Sequence, residues 1–197
     1  MDATCTPADI TYPQDLNLLN SAREKLEGYI DCLHDSCDGK KPRTYRKTAR
    51  KEFLNVSKCR KKSGKKLRKA IRKQLNYIIR DIRYIEEYLS HGKDLNESQS
   101  KEYAVILQLY EQQKYMFDNR KHTVNDRIVS IAQPHVRPIV RGKTKAPTEF
   151  GAKVEISVVD GYVRIERLSW DAYNESESLI PIVENYKERN GVYPERI

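Results

Sequence analysis

Two hydrophobic rhythms divide this 197-residue chain. Between Phe150 and Trp170 the apolar positions recur at every second residue. Ala152, Val154, Ile156 and Val158 interleave with Lys153, Glu155 and Ser157, and beyond Asp160-Gly161, Val163 and Ile165 interleave with Arg164 and Glu166. A period of two belongs to a strand with one buried face. Asp-Gly between two such runs favours a type I′ turn, so the pattern predicts a β-hairpin. Asp160 is accounted for by that turn and is assigned no chemistry.

Upstream the rhythm is helical. Leu18, Leu19, Ala22, Leu26, Tyr29, Ile30 and Leu33 fall on one helical face, with Asp15 as the expected N-cap. A second helix is expected over about 44–59, with Tyr45, Ala49, Phe53 and Val56 inward, and Ser63-Gly64 briefly breaks the helical pattern after it. Leu67, Ile71, Leu75, Ile78, Ile82, Ile85 and Leu89 then advance in steps of three and four, a coiled-coil-like seam. His91-Gly92 ends it, and Asn96 with Gln99 has the spacing of a capping box. Tyr103, Ile106, Tyr110, Gln113 and Phe117 repeat the seam. Two seams joined by a short loop predict an antiparallel helical hairpin over about 65–119, each helix covering the other's stripe. Ile78, Ile82 and Ile85 are thereby assigned to its core and not to a dimer zipper.

The flanks are extended. Residues 2–7 read as a strand, and Pro134, Pro138 and Pro147 punctuate an extended stretch over 133–148. A last helix is expected over about 176–190, with Leu179, Ile182, Val183 and Tyr186 inward. Pro181 is tolerated in its first turn, and Asn190-Gly191 stops it. Val192 to Ile197 looks like the start of another strand. The fold class is therefore α+β, with a mixed sheet from residues 1–14 and 128–197 and a helical insertion over 15–127.

Charge sharpens this picture. The chain carries +9 overall, yet residues 40–73 hold 17 Lys or Arg against the single acid Glu52. The rest is mildly acidic. A cationic block without balancing acids, with Tyr45 and Phe53 interleaved, points to a polyanion, above all nucleic acid. Its contacts are expected to be mainly to phosphates and hence salt-sensitive. Lys58, Arg60, Lys61, Lys62, Lys65 and Lys66 are the densest cluster. Cys32, His34, Cys37 and Cys59 have spacings outside the usual zinc patterns, so thiols without a metal are expected. No apolar run approaches a membrane span, and Met1 is followed by an acid and not by a secretory signal. The expected compartment is the cytoplasm.

Two stretches carry a resemblance. Asp2-Ala3-Thr4, Pro7, Ile10-Thr11-Tyr12-Pro13, Asp15-Leu16, Leu18-Leu19-Asn20 and Ala22-Arg23-Glu24 together resemble the first catalytic motif of bacterial insertion-sequence transposases of the DDE type. Arg141-Gly142-Lys143 with Pro147-Thr148-Glu149-Phe150-Gly151-Ala152-Lys153-Val154 resembles the second-strand region of that group. The resemblance implies a ribonuclease H-like catalytic core interrupted by the basic helical insertion. It also implies a nucleoid-associated protein that binds transposon ends and, when complete, cleaves and transfers DNA strands.

The family's three carboxylates hold two Mg²⁺ or Mn²⁺ ions, hard cations that prefer carboxylate oxygens and assist in-line phosphoryl transfer. Only Asp2 matches that set as catalytic and metal-binding residue. The positions of the other two would fall beyond Ile197, so the chain is expected to be a fragment that holds the metal poorly and does not transfer strands by itself. Arg141, Lys143, Lys145 and Lys153 lie where DNA would cross the sheet in that fold. The competing expectations are a non-catalytic nucleic-acid-binding helical module, an inhibitor of transposition, or an interaction protein built on the helical hairpin. An open sheet edge makes a homo-oligomer an expected assembly.

Overall fold

The computed structural model describes residues 2–8, 15–61, 63–140, 148–171 and 173–196. The chain divides into two compact units, residues 12–134 and residues 1–11 with 135–197.

The first unit is helical. Helix α1 (Asp15–Leu33), α2 (Arg46–Ser57), α3 (Gly64–Ser90) and α4 (Glu97–Asn119) follow in order, with one 3₁₀ turn at Ser36–Asp38. Local chemistry explains their limits. Ser63 caps α3 by accepting from the Lys66 amide, and Asn96 and Gln99 form the expected reciprocal box at α4. Asp15 is not a cap. It stands in the first turn of α1, where its carboxylate accepts from Gln113 at 3.0 Å and from Arg127.

The core joins Leu19, Leu26 and Ile30 of α1 to Ile78, Ile82 and Ile85 of α3 and to Ile106 and Leu109 of α4. The seam of α3 is therefore shared. Helix α1 lies along more of α3 than α4 does, correcting the expectation of a hairpin closed on itself. The reason is the apolar face of α1, whose Leu19, Leu26 and Ile30 enter the same buried cluster as Ile78, Ile82 and Ile85. Beyond α4, Gln112 holds the returning chain through Ile128 N–H and Asp126 C=O, so that Ile128, Val129 and Ile131 are buried.

The second unit is a small sheet of β1 (Asp2–Pro7), β2 (Pro138–Val140), β3 (Thr148–Val159) and β4 (Tyr162–Ser169), followed by α5 (Leu179–Asn190). Strand β3 is central. It pairs with β1 through Gly151–Ile156, and on the opposite edge with β2 and then β4. The hairpin turn is as expected, with positive φ at Asp160 (52°) and Gly161 (83°).

Four expectations fail here. Every pairing among the described residues is antiparallel, not mixed. The alternation predicts the buried face only near the centre. Ala152 and Val154 are buried, but Val158, Val163 and Ile165 are exposed, while Lys153 and Glu155 are buried. The cause is where cover lies. Residues 173–178 and α5 lie over the opposite face, where Arg167 donates to Ser178 Oγ (2.7 Å) and Glu166 accepts from Ser157 (2.6 Å) and Arg189 (3.0 Å). Glu166 is the extra residue of a β-bulge, since Glu155 faces Arg167 and Ile156 faces Ile165.

In α5 Ile182 is buried, but Leu179 lies at the exposed start of the helix. Residues 192–196 form no strand: Tyr193 folds back on α5, its hydroxyl 3.1 Å from Glu184 and from Lys187.

Candidate nucleic-acid interface

Helices α2 and α3 between them carry most of the cationic block, and a buried polar framework sets where α2 sits. Arg23 of α1, almost wholly buried, donates to Asn20 (2.8 Å), to Gln74 of α3 (3.2 Å) and to Glu27. Gln74 in turn donates to the Ala49 carbonyl of α2 at 3.3 Å, and Arg80 donates to the Thr44 carbonyl just before α2 at 2.6 Å. Arg46 at the start of α2 donates to Asp31 at 2.8 Å. Leu16, Val56 and Ala70 add a small apolar contact. Tyr45, expected inward, is half-exposed instead, with left-handed backbone (φ 54°) and the Arg80 guanidinium 4.8 Å from its ring centroid.

Docked this way, α2 and α3 turn their lysines and arginines outward. Lys47, Arg50 and Lys51 are exposed along α2, and Lys58 is exposed just after its last turn. Across the turn, Arg60, Lys61, Lys65 and Lys66 are exposed. Lys58, Arg60, Lys61 and Lys65 have no carboxylate within ion-pair distance among the described residues, and Lys66 donates to Cys59 Sγ at 2.8 Å. Lys62, part of the expected cluster, lies outside the described residues. Three members of the block are neutralised by acids: Lys41 and Arg46 by Asp31, Lys73 by Glu52.

The structure also groups Lys66 of the expected cluster with Lys69 and Lys73, which were not singled out from the sequence. Lys66, Lys69 and Lys73 stand at spacings of three and four and border a groove of about 340 Å³ between α2 and α3. The signal was present in the helical spacing but could not be read without knowing which face α2 covers.

The remaining expected residues fall differently. Arg141, Lys143 and Lys145 lie outside the described residues. Lys153 is turned inward, which corrects its assignment to an exposed DNA path. Its ammonium donates to the Tyr173 carbonyl at 2.9 Å, pairs with Glu175 at 2.9 Å and lies 4.5 Å from the Tyr173 ring centroid. Asp2 takes the register position opposite Ile156 on β3, beside the hairpin; its side chain is outside the described set. Glu155, the nearest described acid on β3, stands opposite Ala3, one register step away. Among the described residues no three His, Cys, Asp or Glu side chains come together as a metal set. Mg²⁺ or Mn²⁺ needs several oxygens held at once, and the side chain of Asp2 lies outside the described residues. No helix among them is long and apolar enough to cross a membrane.

Compared with protein-family models, curated proteins and solved structures, the chain matches none.

Proposed function

We propose that this protein binds DNA through the cationic face of α2 and the first turns of α3, as part of a transposase of the DDE type. The observation that carries the reading is the set Lys58, Arg60, Lys61 and Lys65, exposed around one turn with no carboxylate at ion-pair distance among the described residues. A solvated surface in a protein with 28 acids would ordinarily interleave some of them there. Cations so placed neutralise phosphates and release counterions.

Two features support the transposase part. Along the sequence, the helical unit with the cationic block interrupts a second unit that draws its strands from before and after it. In that second unit β1, β3 and β4 lie side by side, antiparallel, with Asp2 on the first strand, an order compatible with the opening strands of a ribonuclease H-like core. In this reading Asp2 contributes one carboxylate of the metal site, and the chain alone neither cleaves nor joins DNA. The separate helical unit also favours a second reading, a nucleic-acid-binding module without catalysis.

Fluorescence anisotropy with a duplex probe at graded NaCl tests the binding. The expected result is a log–log slope of roughly −3 to −4, about −0.9 for each of four neutralised phosphates. Changing Lys58, Arg60 and Lys61 together to Glu is expected to weaken binding at least tenfold. Salt-independent binding, or an unaffected triple variant, would remove the proposal. Metal-dependent nicking of a terminal-repeat duplex by the chain alone would contradict the assignment of Asp2 as a lone carboxylate.

A further inference from the structure

On the helical unit a second concavity adjoins the cationic turn. The first turns of α3 and the end of α4 enclose a groove of about 450 Å³. Ile71, Met116 and Phe117 give it an apolar floor, and Lys65, Arg120 and Lys121 stand on its rim. Its wall has one acid, Asp15, and that carboxylate is already engaged by Arg127 and Gln113. Helix α4 ends here because Arg120 adopts the left-handed conformation (φ 53°), and the amides of Arg120 and Lys121 return to the Met116 carbonyl. That ending presents two cations beside Lys65.

Arg68 decides the chemistry. Its guanidinium lies 4.0 Å from the Phe117 ring centroid, and it makes no hydrogen bond or ion pair with another described residue. A guanidinium held over an aromatic ring by its carbon, with no polar partner, keeps its five donors available. A base stacks readily on such a plane, and an adjacent phosphate needs the cations at the rim. A flat apolar face joined to an anion is what a nucleotide offers. In an intact duplex the base faces are already stacked, so only an unpaired nucleotide can enter.

We propose that this groove holds an unpaired nucleotide of the bound nucleic acid, its base on Arg68 and its phosphate among Lys65, Arg120 and Lys121. The proposal rests on the nucleic-acid reading above and adds a preference for single-stranded extensions. An acidic amphipathic peptide shares the charge, but the groove is continuous with the cationic turn, and a planar guanidinium selects a planar ligand.

The test compares three probes on the full chain at one salt concentration: a blunt duplex, the duplex with a short thymidine extension, and the duplex with an abasic extension carrying the same phosphates. The thymidine extension is expected to bind roughly tenfold tighter than the blunt duplex, within the range of one or two stacked bases. The abasic extension is expected to show little of that gain. Arg68→Lys, which keeps the charge and loses the plane, is expected to bring the thymidine-to-abasic ratio close to one. Equal affinity for thymidine and abasic extensions, or an unchanged ratio in Arg68→Lys, overturns the inference while salt-dependent duplex binding still stands. Binding to none of the three probes removes both readings. An acidic amphipathic peptide that competes only weakly with blunt duplex, yet binds and loses affinity in Arg68→Lys with no thymidine preference seen, assigns the groove to a protein partner and overturns the inference.

Discussion

Asp81 has no exposed surface, and one of its carboxylate oxygens has no hydrogen-bond partner. Its nearest cation, Arg80, is 3.5 Å away and is turned mainly to the Thr44 carbonyl. Burial raises the Asp81 carboxyl to about 7, with nearby Glu27 adding to the rise and Arg80 and Arg23 opposing it. Because the folded value lies above the unfolded one, the folded state binds the proton more tightly. The contribution to stability is therefore full below about pH 4 and is lost as pH rises through about 7. Asp81→Asn, neutral at every pH, is expected to gain stability relative to the parent at pH 8 and much less at pH 5. The difference should be on the order of a few kcal/mol. Urea midpoints of both proteins at the two pH values measure it, and a parallel shift would place the cost elsewhere. The same residue neighbours the framework that docks α2, so a buried charge here bears on how firmly the cationic face is held.

Strand β3 is the element on which the sheet depends, and its pairing with β1 has one unforgiving point. A Cβ at Gly151 would meet the Thr6 carbonyl oxygen at 2.0 Å and the Ala8 nitrogen at 3.0 Å, both backbone atoms that cannot swing aside. The Ala8 amide donates to the Phe150 carbonyl at 2.8 Å in the same place. Gly151→Ala is thus expected to separate the end of β1 from β3 at a cost of about 3 kcal/mol or more. Loss of hydrogen-exchange protection for β1 amides, with the hairpin amides retained, is the expected signature. By contrast a Cβ at Gly161 meets nothing within 4 Å, and only its positive φ of 83° opposes substitution. Gly161→Ala is expected to cost nearer to about 1 kcal/mol.

The chain as a whole offers a convenient separation of its two units. Its one tryptophan, Trp170, lies in the sheet unit, edge-on to His135 with ring centroids 4.4 Å apart. Most of the helix lies in the other unit, α5 being the exception. Urea unfolding followed by tryptophan fluorescence and by far-ultraviolet circular dichroism therefore reports the units individually. Gly151→Ala is expected to shift the fluorescence transition and leave the dichroism transition in place, and Asp81→Asn at pH 8 to do the reverse. Coincident shifts in both variants would show one cooperative unit instead. The cationic turn and the Arg68 groove both lie in the helical unit, so the nucleic-acid proposal belongs to that unit alone.

Much of this was readable one neighbour at a time. The Asp-Gly turn, the Asn96–Gln99 box, the long apolar seam and the Gly191 stop depend on interactions within a few residues, and each forms where the pattern places it. The cationic block was equally plain, since charge is a property of composition. What needed the tertiary structure was every question of which face is covered and by what. Lys153 and Val158 occupy alternate positions of one strand, yet the lysine is buried and the valine exposed, because the segment 173–178 and α5 cover the polar side. Tyr45 leaves the apolar face because a left-handed backbone and the Arg80 guanidinium hold it outside. Arg68 becomes distinctive only when α4 brings Phe117 beneath it from 49 positions along the chain. Periodicity encodes the orientation of a side chain relative to its own backbone. Burial, neutralisation and stacking are set by partners distant in sequence, and folding alone brings those into contact.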